Sequence, residues 1–159
     1  MQFTSASIIA IAAFLVLGSP INAAAVNGQG QALAAADGGG FAATCRNLVI
    51  TERRFISNTY FDLNANCEKF DYRWLDNRLQ LSLCLANDHG VLRWSSRGNF
   101  DKSCQYCDIR SVDKNKVMLG CFCLPAYDKG LVYAEINLNE RVRNMNGQLW
   151  CGDEIGIAW

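Results

Sequence analysis

Cysteine is the most reactive residue type in this chain, and all eight cysteines lie between Cys45 and Cys151. An even cysteine count in an exported chain implies disulfides. The spacings Cys104-x2-Cys107 and Cys121-x-Cys123 could instead supply thiolates to zinc. The second spacing is tight for two ligands, however, and an oxidising compartment removes free thiolates. We therefore expect disulfides, with no metal and no other cofactor.

The other side chains that commonly catalyse reactions form no recognisable arrangement. His89 is the only histidine, a general base needs a partner within reach, and no Gly-x-Ser-x-Gly motif is present. Paired carboxylates, Asp71 with Asp76 or Glu135 with Glu140, would suit a small secreted hydrolase, but nothing in their surroundings distinguishes them. His89 is better explained as a turn residue. The sequence thus favours a binding protein over an enzyme.

One set of residues occurs twice and indicates how the chain is organised. Phe41-x3-Cys45 and Leu63-x3-Cys67 return 59 and 56 positions later (41 to 100 and 63 to 119) as Phe100-x3-Cys104 and Leu119-x3-Cys123. Asn87-x2-Gly90-x-Leu92 likewise returns as Asn144-x2-Gly147-x-Leu149. Two copies are too few for a solenoid, so we expect one domain with internal pseudo-symmetry. Its predicted extent is 41–152, with repeat one at 41–99, repeat two at 100–152 and a C-terminal tail at 153–159.

The repeat also selects two of the disulfides. Cys45 with Cys67, and Cys104 with Cys123, occupy matching places in the two copies, so each pair is expected to close its own loop. A loop of that size stabilises the fold by roughly 3 kcal/mol on a chain-entropy estimate. The remaining cysteines allow three pairings, among which the sequence does not choose. They are Cys84, Cys107, Cys121 and Cys151.

The N-terminal segment has the pattern of an export signal followed by a linker. Ile8 to Leu17 is a continuous apolar run, and Ala23 to Ala25 supplies small residues for cleavage. We expect a signal peptide at 1–25, an uncleaved anchor being the alternative, and hence a secreted, extracellular protein. Residues 26–40 are mainly Ala, Gly and Gln, which predicts a disordered leader, or else a short propeptide.

Charge composition argues against two classes of partner. Fifteen acidic and fifteen basic residues balance, whereas nucleic-acid binding needs a clustered positive face. The same balance gives no support to an anionic membrane surface as partner. We therefore expect neither nucleic acid nor a membrane to be bound.

Hydrophobic alternation and turn signals predict short, mostly antiparallel strands. Leu79 to Leu85 alternates apolar with polar or small residues, and Val117 to Leu124 and Gly130 to Leu138 also have strand character. Asn146-Gly147 is a strong hairpin signal, and His89-Gly90 stands at the matching place. No window holds a long amphipathic helix. The expected fold class is all-β, assembled from two similar halves.

The repeated pattern of Phe-x3-Cys, Leu-x3-Cys, apolar-x-Leu and Asn-x2-Gly-x-Leu resembles the cyanovirin-N homology family of lectins over Phe41 to Cys151. The resemblance implies an elongated, pseudo-symmetric, disulfide-stapled domain whose halves exchange strands. It also implies a mannose-type ligand, on an oligosaccharide or a glycoprotein glycan, bound without catalysis or metal. Fungal members resemble this chain in their extra cysteines. The sequence leaves open a monomer or a strand-exchanged dimer.

The resemblance further implies a sugar pocket near each end of the domain. The first would be formed by Thr44, Glu68, Lys69, Asn144 and Asn146, with Gly40 and Ala43 at its edge. The second would be formed by Asn87, His89, Gly98, Asn99, Lys102, Ser103 and the stretch after Cys123. We expect the first to be the working site, because Glu68-Lys69-Phe70-Asp71 supplies hydrogen-bonding groups where the second copy has Leu124-Pro125-Ala126-Tyr127.

Each candidate also has a purely structural explanation. Asn87 and Asn144 lie in turns, where Asn is favoured for its backbone conformation, and Glu68 and Lys69 would form an ordinary solvated pair. Trp94 and Trp150 are expected to pack in or near the core, whereas Trp74, in the loop 69–77, could stack on a sugar. If the pockets have lost their ligand, the alternative is a disulfide-rich secreted scaffold or effector that binds a protein partner.

Overall fold

The computed structural model describes residues 39–126 and 130–158. The predicted signal peptide, most of the predicted leader, Tyr127 and Trp159 lie outside the described residues. The described chain forms twelve strands and four short 3-10 turns, so the all-β prediction is confirmed. No helix within these ranges is both long enough and apolar enough to span a bilayer.

Repeat one forms an antiparallel sheet of three strands and ends in a hairpin. The sheet strands are β1 (Cys45–Phe55), β2 (Asn58–Glu68) and β3 (Trp74–Gln80). The hairpin consists of β4 (Leu85–Asp88) and β5 (Val91–Trp94). A 3-10 turn precedes β1 and another separates β3 from β4.

Repeat two has the same order of elements. Its sheet contains β6 (Cys104–Asp113), β7 (Lys116–Cys123) and β8 (Val132–Asn137), and its hairpin contains β9 (Val142–Met145) and β10 (Gln148–Cys151). The two short strands that follow are β11 (Glu154–Ile155), which pairs with β10, and β12 (Ile157–Ala158), which pairs with β3. The segment that the sequence assigned to a tail therefore extends both the hairpin of repeat two and the sheet of repeat one.

The two repeats exchange their hairpins. Hairpin β9–β10 of repeat two packs on β3 of repeat one, and β5 of the other hairpin packs on β8 of repeat two. Each half of the domain thus combines the sheet of one repeat with the hairpin of the other. The exchanged architecture that the resemblance implied is confirmed.

Backbone irregularities recur at matching places, which shows that the duplication extends to local geometry. Asn47 and Tyr106 both have positive φ, at the bulge that follows the first cysteine of each repeat. The turn pairs His89-Gly90 and Asn146-Gly147 also both have positive φ. Two positive φ values in a two-residue loop are typical of the tightest hairpin turn, for which Asn-Gly is the preferred sequence.

The core joins both repeats into one cluster. Phe41 and Phe100, at the start of the 3-10 turns Phe41–Ala43 and Phe100–Lys102, are fully buried, and Phe100 packs against Phe61 with ring centroids 5.9 Å apart. Equivalent leucines from the two sheets, the second 3-10 turn of each repeat and the two hairpins also belong to it. They are Leu63 with Leu119, Leu81 with Leu138, and Leu92 with Leu149.

All eight cysteines are paired. Cys45–Cys67 and Cys104–Cys123, the two bonds selected by the repeat, join directly opposed residues of β1–β2 and of β6–β7. The undecided four form Cys107–Cys121, within the second sheet, and Cys84–Cys151, which connects the two repeats. The possible zinc ligands are therefore consumed in disulfides, and the described residues contain no other group of three or more side chains placed to hold a metal ion.

Candidate functional site

The turn between β9 and β10 lies directly against the segment that follows Cys67. Asn146 and Gly147 form its two-residue loop, with φ of 53° and 86°. A Cβ atom at Gly147 would approach Cγ of Lys69 to 2.5 Å, so glycine is needed for packing as well as for backbone conformation. The exchanged hairpin therefore brings two parts of the chain, 76 residues apart (70 to 146), into contact at one surface.

The side-chain amide of Asn144 joins the segments of this surface by hydrogen bonds. Its Nδ2 donates to Oγ1 of Thr44 at 3.0 Å and to the carbonyl of Glu68 at 2.8 Å, while its Oδ1 accepts from the N–H of Gly147 at 2.8 Å. Both amide hydrogens are thus used inside the protein. Asn144 is a positioning residue that holds the turn, Thr44 and the strand end in register, rather than a free donor for a ligand.

The loop after Glu68 is held by hydrogen bonds at several points. The backbone N–H of Phe70 donates to Oδ1 of Asn146 at 3.0 Å, and the N–H of Lys69 donates to the carbonyl of Arg73 at 2.8 Å. Tyr72, in the left-handed region with φ of 62°, closes a turn by donating its N–H to the carbonyl of Lys69. The loop is consequently an ordered rim beside the turn.

Charged groups on the rim hold one another in place. The Asp71 carboxylate lies 2.7 Å from Arg73 and 3.4 Å from Nζ of Lys69. Hydrogen bonding to Arg73 is the main cause that lowers the pKa of Asp71 to about 2, with Lys69 contributing less. The Asp71 carboxylate therefore remains ionised across the ordinary pH range, and its contacts orient the side chains of Lys69 and Arg73.

Thr44, Glu68, Lys69, Asn144 and Asn146, the residues assigned to the first pocket, all lie together on this surface, with Gly40 and Ala43 joined by a hydrogen bond at the adjoining 3-10 turn. Two aromatic residues of the rim loop, Phe70 and Tyr72, were not among the predicted site residues. They are 64% and 72% exposed, which is unusual for rings on a hydrogen-bonded loop. The alternating order of Phe70 and Tyr72 in a polar loop was the available signal.

Trp74, the aromatic residue expected in this loop, lies instead at the start of β3, paired with Glu68. The guanidinium of Arg46 covers its ring at 3.9 Å, so one face of Trp74 is already occupied. Trp94 and Trp150 are half-buried, and Trp94 packs against the core.

Asn87 is the equivalent anchor in the other half of the domain. Nδ2 of Asn87 donates to Oγ of Ser103 at 2.9 Å and to the carbonyl of Leu124 at 2.8 Å, and its Oδ1 accepts from the N–H of Gly90 at 2.7 Å. Each bond has its equivalent at Asn144. In each half, the Asn-x2-Gly motif therefore holds the hairpin turn against the sheet by the same set of hydrogen bonds.

The surface around Asn87 differs in chemical character from the surface around Asn144. Leu124 is 47% exposed, and a Cβ at Gly90 would approach Val132 and Pro125. Pro125 thus lies beside the glycine of this turn as Lys69 lies beside Gly147. His89 is at the tip of the turn with φ of 53°, as expected for a turn residue, and its Nδ1 lies 2.9 Å from Asp88. Gly98 packs against the backbone of Leu85.

Asn99 and Lys102, also assigned to the second pocket, line a cleft of 420 Å³ with the turn between β1 and β2. An adjoining cleft of 300 Å³ takes in Lys102 and Ser103. Neither cleft is lined by Asn87 or His89. Ser103 connects the two groups, because it accepts a hydrogen bond from Asn87 and also lines the 300 Å³ cleft.

A family model described as the CVNH domain matches residues 41–150. The chain belongs to the CVNH domain family. The resemblance of the repeated residues is thereby confirmed. No protein of curated function matches the chain by sequence.

Solved structures with the CVNH fold agree with this assignment. The CVNH protein of Gibberella zeae is 25% identical, with 70% of this chain and 96% of that one covered and a TM-score of 0.56. The CVNH protein of T. borchii is 27% identical, with coverage of 70% and 98% and a TM-score of 0.55. A microvirin:mannobiose complex is 28% identical, with coverage of 72% and 99% and a TM-score of 0.53. This CVNH chain is thus similar to these proteins over nearly the whole of their length.

Proposed function

We propose that this protein is a secreted lectin that binds mannose-type oligosaccharides, free or on glycoproteins, without changing them chemically. The observation that carries the proposal is the polar surface that Asn144 pins between the exchanged turn and the rim loop. We name this surface the Asn144 site and define it by Thr44, Lys69, Phe70, Tyr72 and Asn146 around the anchor.

The chemistry of the Asn144 site suits a saccharide. A sugar presents adjacent hydroxyls, which require fixed donors and acceptors, and an apolar ring face, which packs on an aromatic side chain. Lys69, Asp71 and Asn146 provide the first requirement, and the exposed rings of Phe70 and Tyr72 provide the second. Because the surface is held by backbone and amide hydrogen bonds, little ordering entropy is lost when a ligand binds.

Two further observations support a mannose-type ligand and secretion. The structure of microvirin, 28% identical to this chain, is that of a mannobiose complex, which supports a mannose-type ligand. The apolar run from Ile8 to Leu17 and the small residues that follow favour export, as do the four disulfides.

Calorimetric titration of the protein with a dimannoside is the direct test. Asn146→Gly keeps the positive φ of the turn but removes the side chain, and His89→Gly makes the matched change in the other half. Loss of one or two ligand hydrogen bonds corresponds to a roughly 10-fold loss of affinity. We expect that loss for Asn146→Gly and unchanged affinity for His89→Gly. Absence of binding by the unaltered protein, or equal effects of the two variants, would contradict the assignment.

A protein-binding scaffold is the second candidate, and the apolar surface of the other half favours it. Phe122 and Tyr133 pair across β7 and β8 with ring centroids 5.4 Å apart, and both are exposed, as are Tyr106, Leu124 and Val132. Exposed apolar patches are typical of protein interfaces. This function predicts no dimannoside affinity and a partner whose capture is abolished by Phe122→Ser. A folded Phe122→Ser variant with full dimannoside affinity supports the lectin instead.

A further inference from the structure

The sheets of the two repeats have four outer edges, and three of them are protected against pairing with another chain. β1 and β6 each contain a bulge after their first cysteine, and a bulge disrupts the regular ladder that a further strand would need. The outer edge of β3 is covered, because β12 pairs with Asn77 and Arg78. The outer edge of β8 has no strand partner within 39–126 and 130–158.

β8 has a regular backbone and a sequence that suits strand pairing. It pairs with β7 from Val132 to Asn137 without a register shift, and it contains no Pro, Gly or Lys. Val132 and Tyr133 are 39% and 46% exposed, and the ring of Tyr133 pairs with that of Phe122 on β7. A regular, partly apolar edge strand is a template for pairing with another strand. The outer edge of β8 is therefore an interaction surface.

Repeat one shows that this edge of the fold accepts an antiparallel strand. Asn77 and Arg78 of β3 are equivalent to Ala134 and Glu135 of β8, and their partners are two residues of β12. Repeat one thus completes its sheet with the C-terminal strand of its own chain. The sheet of repeat two can be completed in the same way by a strand from a second molecule.

We propose that β8 pairs with β8 of a second copy of this chain, antiparallel and about a two-fold axis, and that the dimer so formed carries two Asn144 sites. No residue that defines the Asn144 site lies on β7 or β8. The benefit of two sites rests on the proposed lectin function, whereas the strand pairing does not.

The sequence of β8 selects one register for this pairing. In an antiparallel pair about a two-fold axis, one residue lies opposite itself and its neighbours pair in reverse order. A pair centred on Glu135 joins residues 133–137 and places two carboxylates directly opposite each other, which is destabilising. A pair centred on Ala134 joins residues 132–136 and avoids that contact. The register centred on Ala134 is therefore favoured.

With Ala134 at the axis, the neighbouring side chains meet compatible partners. Tyr133 lies opposite Glu135 of the second copy, and its hydroxyl already donates to Glu135 of its own chain at 2.5 Å. On the other face, Val132 lies opposite Ile136 of the second copy, so its exposed apolar surface is covered. Cross-strand pairs of these kinds stabilise sheets. β8 is thus complementary to itself in this register.

The expected dimer is weak in solution but effective on a surface. Pairing of one short strand with another gives a smaller interface than the standard protein–protein contact, so we expect dissociation in the micromolar to millimolar range. When both Asn144 sites engage glycans on one surface, the second binding event becomes intramolecular and the apparent affinity rises. A protein with one working site per chain would thereby become a bivalent lectin.

Sedimentation equilibrium between about 10 μM and about 1 mM protein tests the pairing, a range set by the expected weakness of the interface. Tyr133→Glu places a carboxylate opposite Glu135 of the second copy at both equivalent positions. We expect it to raise the dimer dissociation constant roughly tenfold or more. Tyr106→Glu is the matched control on the bulged edge β6 and should leave the constant unchanged. Adding Glu135→Lys to Tyr133→Glu restores opposite charges and should recover the dimer.

Two outcomes would overturn the inference. One is a monomer at every concentration, and the other is a dimer whose dissociation constant is the same in the unaltered protein and in Tyr133→Glu, as strand exchange would give. If Tyr133→Glu fails to fold, amide shifts of the unaltered 15N-labelled protein decide instead. They should change with protein concentration at residues 132–136, and changes confined to other segments would count against the pairing.

A glycan-binding measurement separates this inference from the proposed function. Tyr133→Glu should bind soluble dimannoside like the unaltered protein but lose roughly tenfold or more in apparent affinity for a dense oligomannose surface. Equal retention of both proteins on that surface would overturn the bivalent role. If neither protein binds dimannoside, the proposed function fails, while sedimentation still decides whether β8 pairs with itself.

Discussion

Replacing Asn77 by Ala tests whether the exchanged hairpin is fastened to the sheet of the other repeat by a few defined bonds. Asn77 lies on β3 and is 1% exposed. Its Nδ2 donates to the carbonyl of Gly147 at 2.6 Å, and its Oδ1 accepts from the N–H of Leu149 at 3.0 Å. Both bonds cross from repeat one to repeat two. The equivalent residue on β8 is Ala134, since Ala65 opposes Asn77 as Cys121 opposes Ala134.

The expected loss of stability follows from the backbone groups that would lose their hydrogen-bond partner. Each buried hydrogen bond contributes about 1 kcal/mol, and an unsatisfied buried partner costs about 1–3 kcal/mol. Leu149 and Gly147 are both buried, so their backbone groups would lose their partner with little access to water. We therefore expect Asn77→Ala to lower the free energy of unfolding by about 2–4 kcal/mol.

Urea unfolding of the oxidised protein, followed by tryptophan fluorescence, measures this change. Asn66→Ala is the matched control, because Asn66 lies on the neighbouring strand and bonds only the exposed side chains of Arg46 and Asp76. The control should change the free energy of unfolding by less than about 0.5 kcal/mol. If Asn77→Ala costs no more than Asn66→Ala, the hairpin is held by apolar packing and the bonding argument is wrong.

Three further outcomes are expected. Ile56→Gly should raise the free energy of unfolding by about 1 kcal/mol in the same urea assay. Ile56 has φ of 55° in a two-residue turn, a strained conformation for a β-branched residue, and at 90% exposure it contributes little packing. A loss of stability would show that this backbone strain is not significant. Replacing Cys84 and Cys151 together by Ala should cost about 4 kcal/mol, since this disulfide closes a 67-residue separation between the repeats, and a change below about 1 kcal/mol would deny it that role. The pKa of Asp71 is lowered to about 2, so its ion pair with Arg73 should be fully present above the ordinary carboxyl pKa of about 4. The pair should be lost only as the pH falls through about 2. A midpoint near 4 in the pH titration of the Asp71 carboxyl 13C shift would show that the pair does not form in solution.

The repeated residues predicted the fold because they are the residues that determine strand pairing. Cys45 opposes Cys67 and Cys104 opposes Cys123 in register, so each disulfide inferred from the repeat joins two paired strands. The Asn-x2-Gly motif predicted both hairpin turns because positive φ at two successive residues strongly restricts the residue types. In contrast, the Cys84–Cys151 bond depends on how the exchanged hairpins meet in space, which spacing along the chain does not determine.

The sequence predicted which segments meet around Asn144, but not which hydrogen bonds each side chain makes there. Asn144 looked like a ligand donor, yet its amide hydrogens are consumed by Thr44 and Glu68. That result depends on three segments meeting, which no local pattern reveals. Phe70 and Tyr72 were overlooked because aromatic residues are ordinarily assigned to the core.

A crystal structure of the protein with a dimannoside would show whether the sugar occupies the Asn144 site. We expect a mannose ring against the rim loop, with its hydroxyls within hydrogen-bond distance of Lys69 or Asn146 and a ring face on Phe70 or Tyr72. Asn144 should keep its bonds to Thr44 and Glu68 in that complex. A dimannoside bound only at the Asn87 half, or none at saturating concentration, would contradict this expectation.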